Sequence, residues 1–195
     1  MPSFEGATEW LNQATPNASH AKGRPTLVHF WSINSKTSLA YLSQLADLRD
    51  RRKREGLRLI AVHVPGSEAE TDSSKVHEAI ARFNLTEPCA LDNENKLRDA
   101  FLNESTSVPA YYLFDADLKL RSLSAGDAAL VELEDQLDEL LLELRSHRPF
   151  CPGCEFFLTA DALYCAECGL PLTLPGSQGA HPGPPCSRPS RSTWR

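Results

Sequence analysis

The cysteines carry the strongest chemical signal in this chain: Cys151-Pro-Gly-Cys154, then ten residues, then Cys165-Ala-Glu-Cys168 followed by Gly169. Each pair sets two sulfurs on one tight turn, and four thiolates from two such turns close a tetrahedral zinc site. With every ligand position filled by protein, no place is left for a reacting water, so the predicted metal is structural. Gly169 lets the second turn fold close to the ion, and Phe156, Phe157, Leu158 and Tyr164 supply the little apolar surface between the pairs. A segment of about 26 residues buries too little core to fold without its metal. Two redox dithiols are the competing interpretation, and the spacing favours metal.

A second set of polar groups, Ser35-Lys-Thr-Ser38, follows the apolar run Thr26-Leu-Val-His-Phe-Trp31. Serine at the start of a helix accepts a hydrogen bond from a backbone N–H two or three residues on, and Ser35 or Thr37 is placed to do so. A serine nucleophile needs an adjacent base and donors for an oxyanion, and Ser-Lys-Thr-Ser offers no recognisable hydrolase context. His29 reads as a strand histidine with a satisfied hydrogen bond. His63 reads as a core or edge histidine, although it nears the carboxyl end of a central strand, where ligands bind in open α/β sheets. Cys89 reads as a packed core thiol, and Cys186 as an exposed, unpaired thiol in a Pro-rich tail.

The elements that must position these groups are legible from hydrophobic period. The run 26–31 after Pro25 predicts a buried central strand. Leu39, Leu42, Leu45 and Leu48 predict a helix that runs into the charged stretch Arg49 to Glu55, read as a solvated helix end. Leu57 to Val64 is the next strand, closed by Pro65-Gly66, and Val76, Ile80 and Phe83 predict a helix over 73–84. A short strand at 88–91 and a short helix at 96–102 precede a hairpin of 110–114 and 118–123 joined by Asp115-Ala-Asp117. A long helix from about 127 carries Leu130, Leu133, Leu137, Leu140 and Leu144 on one face, and Arg145, His147 and Arg148 close it in keeping with the helix dipole. Residues 1–24 read as an extension with one short strand around Trp10 and Leu11. The order implies an α/β chain with a mixed sheet covered by helices on both faces.

A length of 195 residues suits one main domain at 1–147, a metal module at 148–174, and a Pro-rich tail at 175–195 that cannot pack a core and is expected to be disordered. The net charge of −6, with Lys and Arg dispersed, argues against a nucleic-acid partner. Arg188, Arg191 and Arg195 make only a small basic tail. No apolar run is long enough to span a bilayer and no basic-then-apolar leader opens the chain, so no membrane association and a cytoplasmic location are expected. Paired cysteines in such a compartment point to metal rather than disulfides.

Three segments together resemble the thioredoxin-like superfamily. His29-Phe-Trp-Ser32 resembles the entry to its active site, Ala61-Val-His-Val-Pro65 the following strand, and Val108-Pro109-Ala-Tyr-Tyr-Leu-Phe-Asp115 the segment that bears a cis-proline. The likeness covers about residues 1–146 and is nearest to the TlpA/ResA/YkuV-type thiol-disulfide oxidoreductases, on the cytosolic, bacterial YkuV-type side. It implies a thioredoxin-like mixed sheet flanked by helices, with Ser35 and Ser38 at the two positions of the family's Cys-x-x-Cys. A helix N-terminus favours a thiolate, whereas a serine hydroxyl neither ionises near neutral pH nor forms a disulfide. The resemblance thus implies a degenerate, redox-inactive site, a cis Val108–Pro109 bond lying against residues 35–38, and a groove of Trp31, Ser35, Ser38, Val108 and Pro109 that binds a peptide or protein partner. His29 falls where many thioredoxins carry a buried acid. The competing implications are an active cytosolic oxidoreductase, if this is a Cys-to-Ser form or another cysteine substitutes, and a zinc-ribbon adaptor. The C-terminal pairs resemble the short zinc ribbon, with Glu155 in place of the usual glycine.

Overall fold

The computed structural model describes residues 1–12, 23–101, 107–147, 149–154, 158, 162–165 and 167–172. In chain order the strands are β1 (Glu9–Leu11), β2 (Thr26–Trp31), β3 (Arg58–His63), β4 (Cys89–Leu91), β5 (Ala110–Phe114) and β6 (Leu120–Ala125), and the helices are α1 (Lys36–Arg52), α2 (Ser73–Arg82), α3 (Lys96–Phe101) and α4 (Ala129–His147). Among the described residues the strands form one sheet in the order β1-β4-β3-β2-β5-β6. β2, β3 and β4 run parallel, while β1 and the β5–β6 hairpin are antiparallel to their neighbours. The mixed sheet is the one its sequence pattern predicts.

All six residues of β2 are buried, because the strand lies mid-sheet with both faces covered. Its period of two divides the core. Leu27 and Trp31 face Leu42, Leu45 and Leu48 of α1, Val76 and Ile80 of α2, and the leucines of α4. Val28 and Phe30 face Ile60, Val62, Phe101, Tyr112 and Phe114.

Helix α1 starts where Ser35 holds extended dihedrals (φ −82°, ψ 108°) and its Oγ accepts from the Ser38 N–H at 3.1 Å. After a single 3₁₀ turn the chain reverses at Gly56, whose φ of 78° suits a residue without Cβ. The charged end of α1 is solvated at Asp50, Arg51, Lys53 and Arg54, as expected, but Arg49, Arg52 and Glu55 are half-buried and paired. Arg49 donates to Glu87 at 2.8 Å and to the Asn84 carbonyl at 3.0 Å, while Arg52 binds Glu55 and Asp138, and Arg145 of α4 reaches Glu55 at 3.0 Å. The hairpin turn is also longer than expected. Asp115 Oδ1 accepts from the N–H groups of Asp117 and Lys119, and Leu118 takes φ +63°, so β6 begins at Leu120. Helix α4 begins two residues late because Asp127 and Ala128 form a separate turn, closed by the Ala129 N–H on the Gly126 carbonyl at 3.4 Å.

No helix among the described residues is long and apolar enough to cross a membrane. Leu137 is fully buried under the sheet whereas Leu142 on the same helix is 70% exposed. Leu137→Ala should therefore lower the unfolding free energy by about 3 kcal/mol and Leu142→Ala by less than about 0.5 kcal/mol, measured by denaturant unfolding with the m-value unchanged.

Candidate functional site

The parallel strands β2 and β3 end side by side, with Trp31 in register with His63. The first residue past β2, Ser32, donates through Oγ to Glu70 Oε2 at 2.6 Å and accepts from the Asn34 N–H at 3.3 Å. Ser67 Oγ donates to the other Glu70 oxygen at 3.1 Å. Burial works against a charge on Glu70, but hydrogen bonds from Ser32, the Gly66 backbone, Asn34 and Ser67 hold its carboxyl below the usual range. This acid, only 3% exposed, ties the β2–α1 connection to the loop that follows β3.

Ser35 lies at the cap of α1, and Ser38, buried in the first turn, accepts from the Ser32 N–H at 3.4 Å. Among the described residues neither hydroxyl is hydrogen-bonded to a histidine or a carboxylate, so the partner base that a nucleophile requires is not in place. The Val108–Pro109 bond is cis. Because Phe30 pairs with Ala110, Pro109 lies at the same end of the sheet as Trp31. The β6–α4 turn links this segment to α1: Gly126 N–H donates to the Pro109 carbonyl at 3.0 Å, Thr37 Oγ1 donates to Asp127 Oδ1 at 3.0 Å, and Tyr41 donates to the Asp127 carbonyl.

Behind this end of the sheet lie two buried histidines. His63 stands edge-on to Trp31, with ring centroids 5.0 Å apart. Neither of its nitrogens has a partner among the described residues. Burial pushes its pKa down to about 4, with Glu70 pulling the other way. His29 has one satisfied nitrogen, Nε2, at 3.1 Å from Glu87, while Nδ1 has no partner among the described residues; the expected hydrogen bond accounts for half the ring. Glu87 is buried too, which alone would raise its pKa, yet the His29 ring and the Arg49 guanidinium bring it down to about 2. Cys89 is fully buried and burial pushes its thiol up to about 12.

Sequence reasoning missed Glu70, Glu87 and Asp127. Glu70 lies in Gly66-Ser-Glu-Ala-Glu, which has the composition of a solvated loop, and no local pattern distinguishes it from Glu68. The usable signal for Glu87 is its place two residues before a buried strand.

The four cysteines converge. All are free thiols, and their sulfurs lie within 4.8 Å of one another. Cys151 Sγ is 3.6 Å from Cys168 Sγ, and Cys154 Sγ is 3.6 Å from Cys165 Sγ. Those distances are far beyond a disulfide, and match the edge of about 3.8 Å of a sulfur tetrahedron with metal–sulfur bonds near 2.3 Å. The Cys165 N–H donates to the Leu170 carbonyl and the Gly169 N–H to the Cys165 carbonyl, each at 2.8 Å, folding the second knuckle with Gly169 at φ +70°. Burial opposes ionisation of Cys165, but N–H groups of Cys168 and Glu167 directed at its sulfur bring its pKa to about 7. The set is competent to hold a metal ion such as zinc. Leu158, Ala162, Leu170 and Leu172 pack around it. Tyr164, expected in that small core, is 65% exposed, and Leu163 beside it is exposed as well, while the Tyr164 backbone bridges to Pro171. Phe156, Phe157, Arg148 and the tail 175–195 with Cys186 lie outside the described residues.

The pKa directions set the acid stability. His63 binds its proton less well folded (about 4) than unfolded (about 6.5), so its contribution is complete above pH 6.5 and lost as pH falls toward 4. Glu87 loses its contribution lower, between its unfolded value near 4.5 and about 2. Unfolding free energy measured from pH 7.5 to 4 should fall by up to about 3 kcal/mol through His63, and His63→Leu should flatten that limb while leaving the loss below pH 4.

No family model matches the chain. Over 143 residues it is 36% identical to the thiol-disulfide oxidoreductase YkuV of Bacillus subtilis, an alignment covering 73% of this chain and 95% of that protein. The thiol-disulfide oxidoreductase ResA of Oceanobacillus iheyensis is 23% identical over 133 residues, covering 68% of this chain and 66% of that protein. The solution structure of a thioredoxin-like protein in its oxidized form superposes with a TM-score of 0.67 at 36% identity, covering 73% of this chain and 95% of the other. With this identity over nearly the whole of one relative, and with the same sheet, the chain belongs to the thioredoxin-like, TlpA/ResA/YkuV-type family of thiol-disulfide oxidoreductases.

Proposed function

We propose that Ser35 and Ser38 stand at the positions of this family's cysteine pair, that the domain formed by residues 1–147 is redox-inactive, and that it binds a peptide or protein partner along Trp31, Ser35, Ser38, Val108 and Pro109. The observation that carries this is the engagement of both hydroxyls with backbone: Ser35 Oγ accepts from Ser38 N–H and Ser38 Oγ accepts from Ser32 N–H. They act as structural acceptors in the first turn of α1, where thiol exchange would need an ionisable sulfur. Cys89 does not replace them, since a fully buried thiol with a pKa near 12 supplies neither access nor thiolate. What remains at this sheet end is the cis-proline segment braced on α1 through Gly126 and Asp127, a fixed edge for an extended chain.

The test is reduction of insulin disulfides by a dithiol donor, comparing the parent with a Ser35→Cys/Ser38→Cys double variant. We expect a silent parent and an active variant. Turnover by the parent would restore the competing reading of an active oxidoreductase, and a folded but silent variant would remove Ser35 and Ser38 from the family's cysteine positions.

For residues 148–174 we propose a structural zinc ribbon, and for the chain a cytoplasmic location. The support is the donor set: four sulfurs within 4.8 Å of one another, enough to fill a tetrahedral ion and leave no ligand position for a substrate. The purified protein should carry one zinc per chain by elemental analysis. Its affinity should fall with falling pH as protons compete for the sulfurs, and Cys154→Ser should lose the stoichiometric metal.

A further inference from the structure

The four sulfurs are not equivalent. Cys151 and Cys165 are buried, Cys154 is half-buried, and Cys168 is exposed. The sulfur paired with Cys168 at 3.6 Å is that of Cys151, on the opposite knuckle. The Cys165 sulfur, buried, receives the N–H groups of Glu167 and Cys168 and pairs with Cys154 at 3.6 Å, while the exposed Cys168 receives the Leu170 N–H. Cys151 receives the Gly153 N–H at 3.4 Å. A methyl at Gly153 would lie 3.8 Å from Cys151 Sγ, 4.0 Å from the Sγ of the exposed Cys168 and 3.3 Å from Leu170 Cδ2, the flexible end of a side chain that can shift to admit it.

We propose that Cys168 is an oxidation site for hydroperoxides, with Cys151 as its resolving thiol, so that peroxide converts the metal cluster to a Cys151–Cys168 disulfide and expels the ion. This rests on the zinc reading above. In the first step the Cys168 thiolate attacks the peroxide O–O bond; an S–O bond forms, the O–O bond breaks, and the departing alkoxide or hydroxide takes a proton from solvent. In the second, the Cys151 thiolate attacks the Cys168 sulfur, the S–S bond forms, and hydroxide leaves and is protonated. Two thiolates lose two electrons, and the hydroperoxide gains them to become an alcohol (water, for hydrogen peroxide) and a water. Cys154 and Cys165 alone cannot complete a tetrahedron, so the ion departs. Because so small a segment has little core of its own, the ribbon loses its order with the metal.

The experiment uses full-length, zinc-loaded protein in a Cys186→Ser background, hydrogen peroxide as the probe, a chromogenic chelator to follow zinc, and peptide mapping of trapped sulfenate and disulfide over time. The expected result is sulfenate first on Cys168, a Cys151–Cys168 disulfide next, and one zinc released per disulfide. Gly153→Ala keeps all four ligands and should hold one zinc while releasing it several-fold more slowly under peroxide. Cys168→Ala should form no early disulfide at Cys151. A first disulfide between Cys165 and Cys168 or between Cys151 and Cys154, sulfenate first on Cys154, or zinc retained while peroxide is consumed would overturn the proposal and leave the zinc site standing. Absence of bound zinc before peroxide is added would overturn both.

Discussion

Everything at the candidate site depends on the burial of β2. With Thr26 to Trp31 buried on both faces, a slip of one residue would carry Leu27, His29 and Trp31 from the α1 side to the α3 side and reverse the whole pattern. The parallel pairing to β3 and the antiparallel pairing to β5 remove the same freedom a second time. The strand therefore delivers Ser32 to one point, from which the chain has three residues to reach the cap of α1. The position of Ser35 follows from the register of β2 before any property of serine is invoked, and the cap then sets the direction of the helix.

A core so continuous leaves little room for polar groups, and those it admits come with donors. Glu87 is held by His29 and Arg49, and Glu70 by Ser32 and Ser67. Each carboxylate joins segments distant in sequence: β2, α1 and the entry to β4 in one case, the β2–α1 and β3–α2 connections in the other. Such contacts gain little net energy when made and cost several kcal/mol when half removed, so their effect is to exclude alternative loop arrangements. Among the described residues His63 goes further than His29, with neither ring nitrogen partnered. Its edge-on contact with Trp31 fills space, but its unpartnered nitrogens make the same contact the first to fail in acid.

The sheet and most helices were legible because each buried face is written as a period, two for β2 and β3 and about 3.6 for α1 and α4. The cis-proline segment was legible through its resemblance, and the four cysteines through spacing alone, since metal ligation is local in sequence. The acids were not. Glu70 and Glu87 act through partners 38 and 58 residues away, and a loop glutamate has the same appearance whether it faces water or a buried hydroxyl. Arg49 was read as solvated for the same reason. The misplaced Tyr164 has a different cause: a ribbon this small has little interior to offer, and Leu163 beside it is exposed as well.

The chain also illustrates that thiol chemistry is assigned by surroundings rather than by count. Cys89 lies in the core of a family built for disulfide exchange, yet burial holds its proton on and shuts out any partner. Cys168 lies in a segment whose spacing reads as purely structural, yet it is the most exposed of the four cluster cysteines. Metal binding keeps such a sulfur deprotonated, which protects the fold and maintains a nucleophile at the surface at the same time. On the proposals above, with Ser35 and Ser38 in the first turn of α1 where the resemblance expects cysteines, the thioredoxin-like fold supplies a rigid edge and the cysteine cluster supplies the reactive sulfur. The two properties that a thioredoxin combines in one turn of helix are, in our proposal, divided between two parts of this chain.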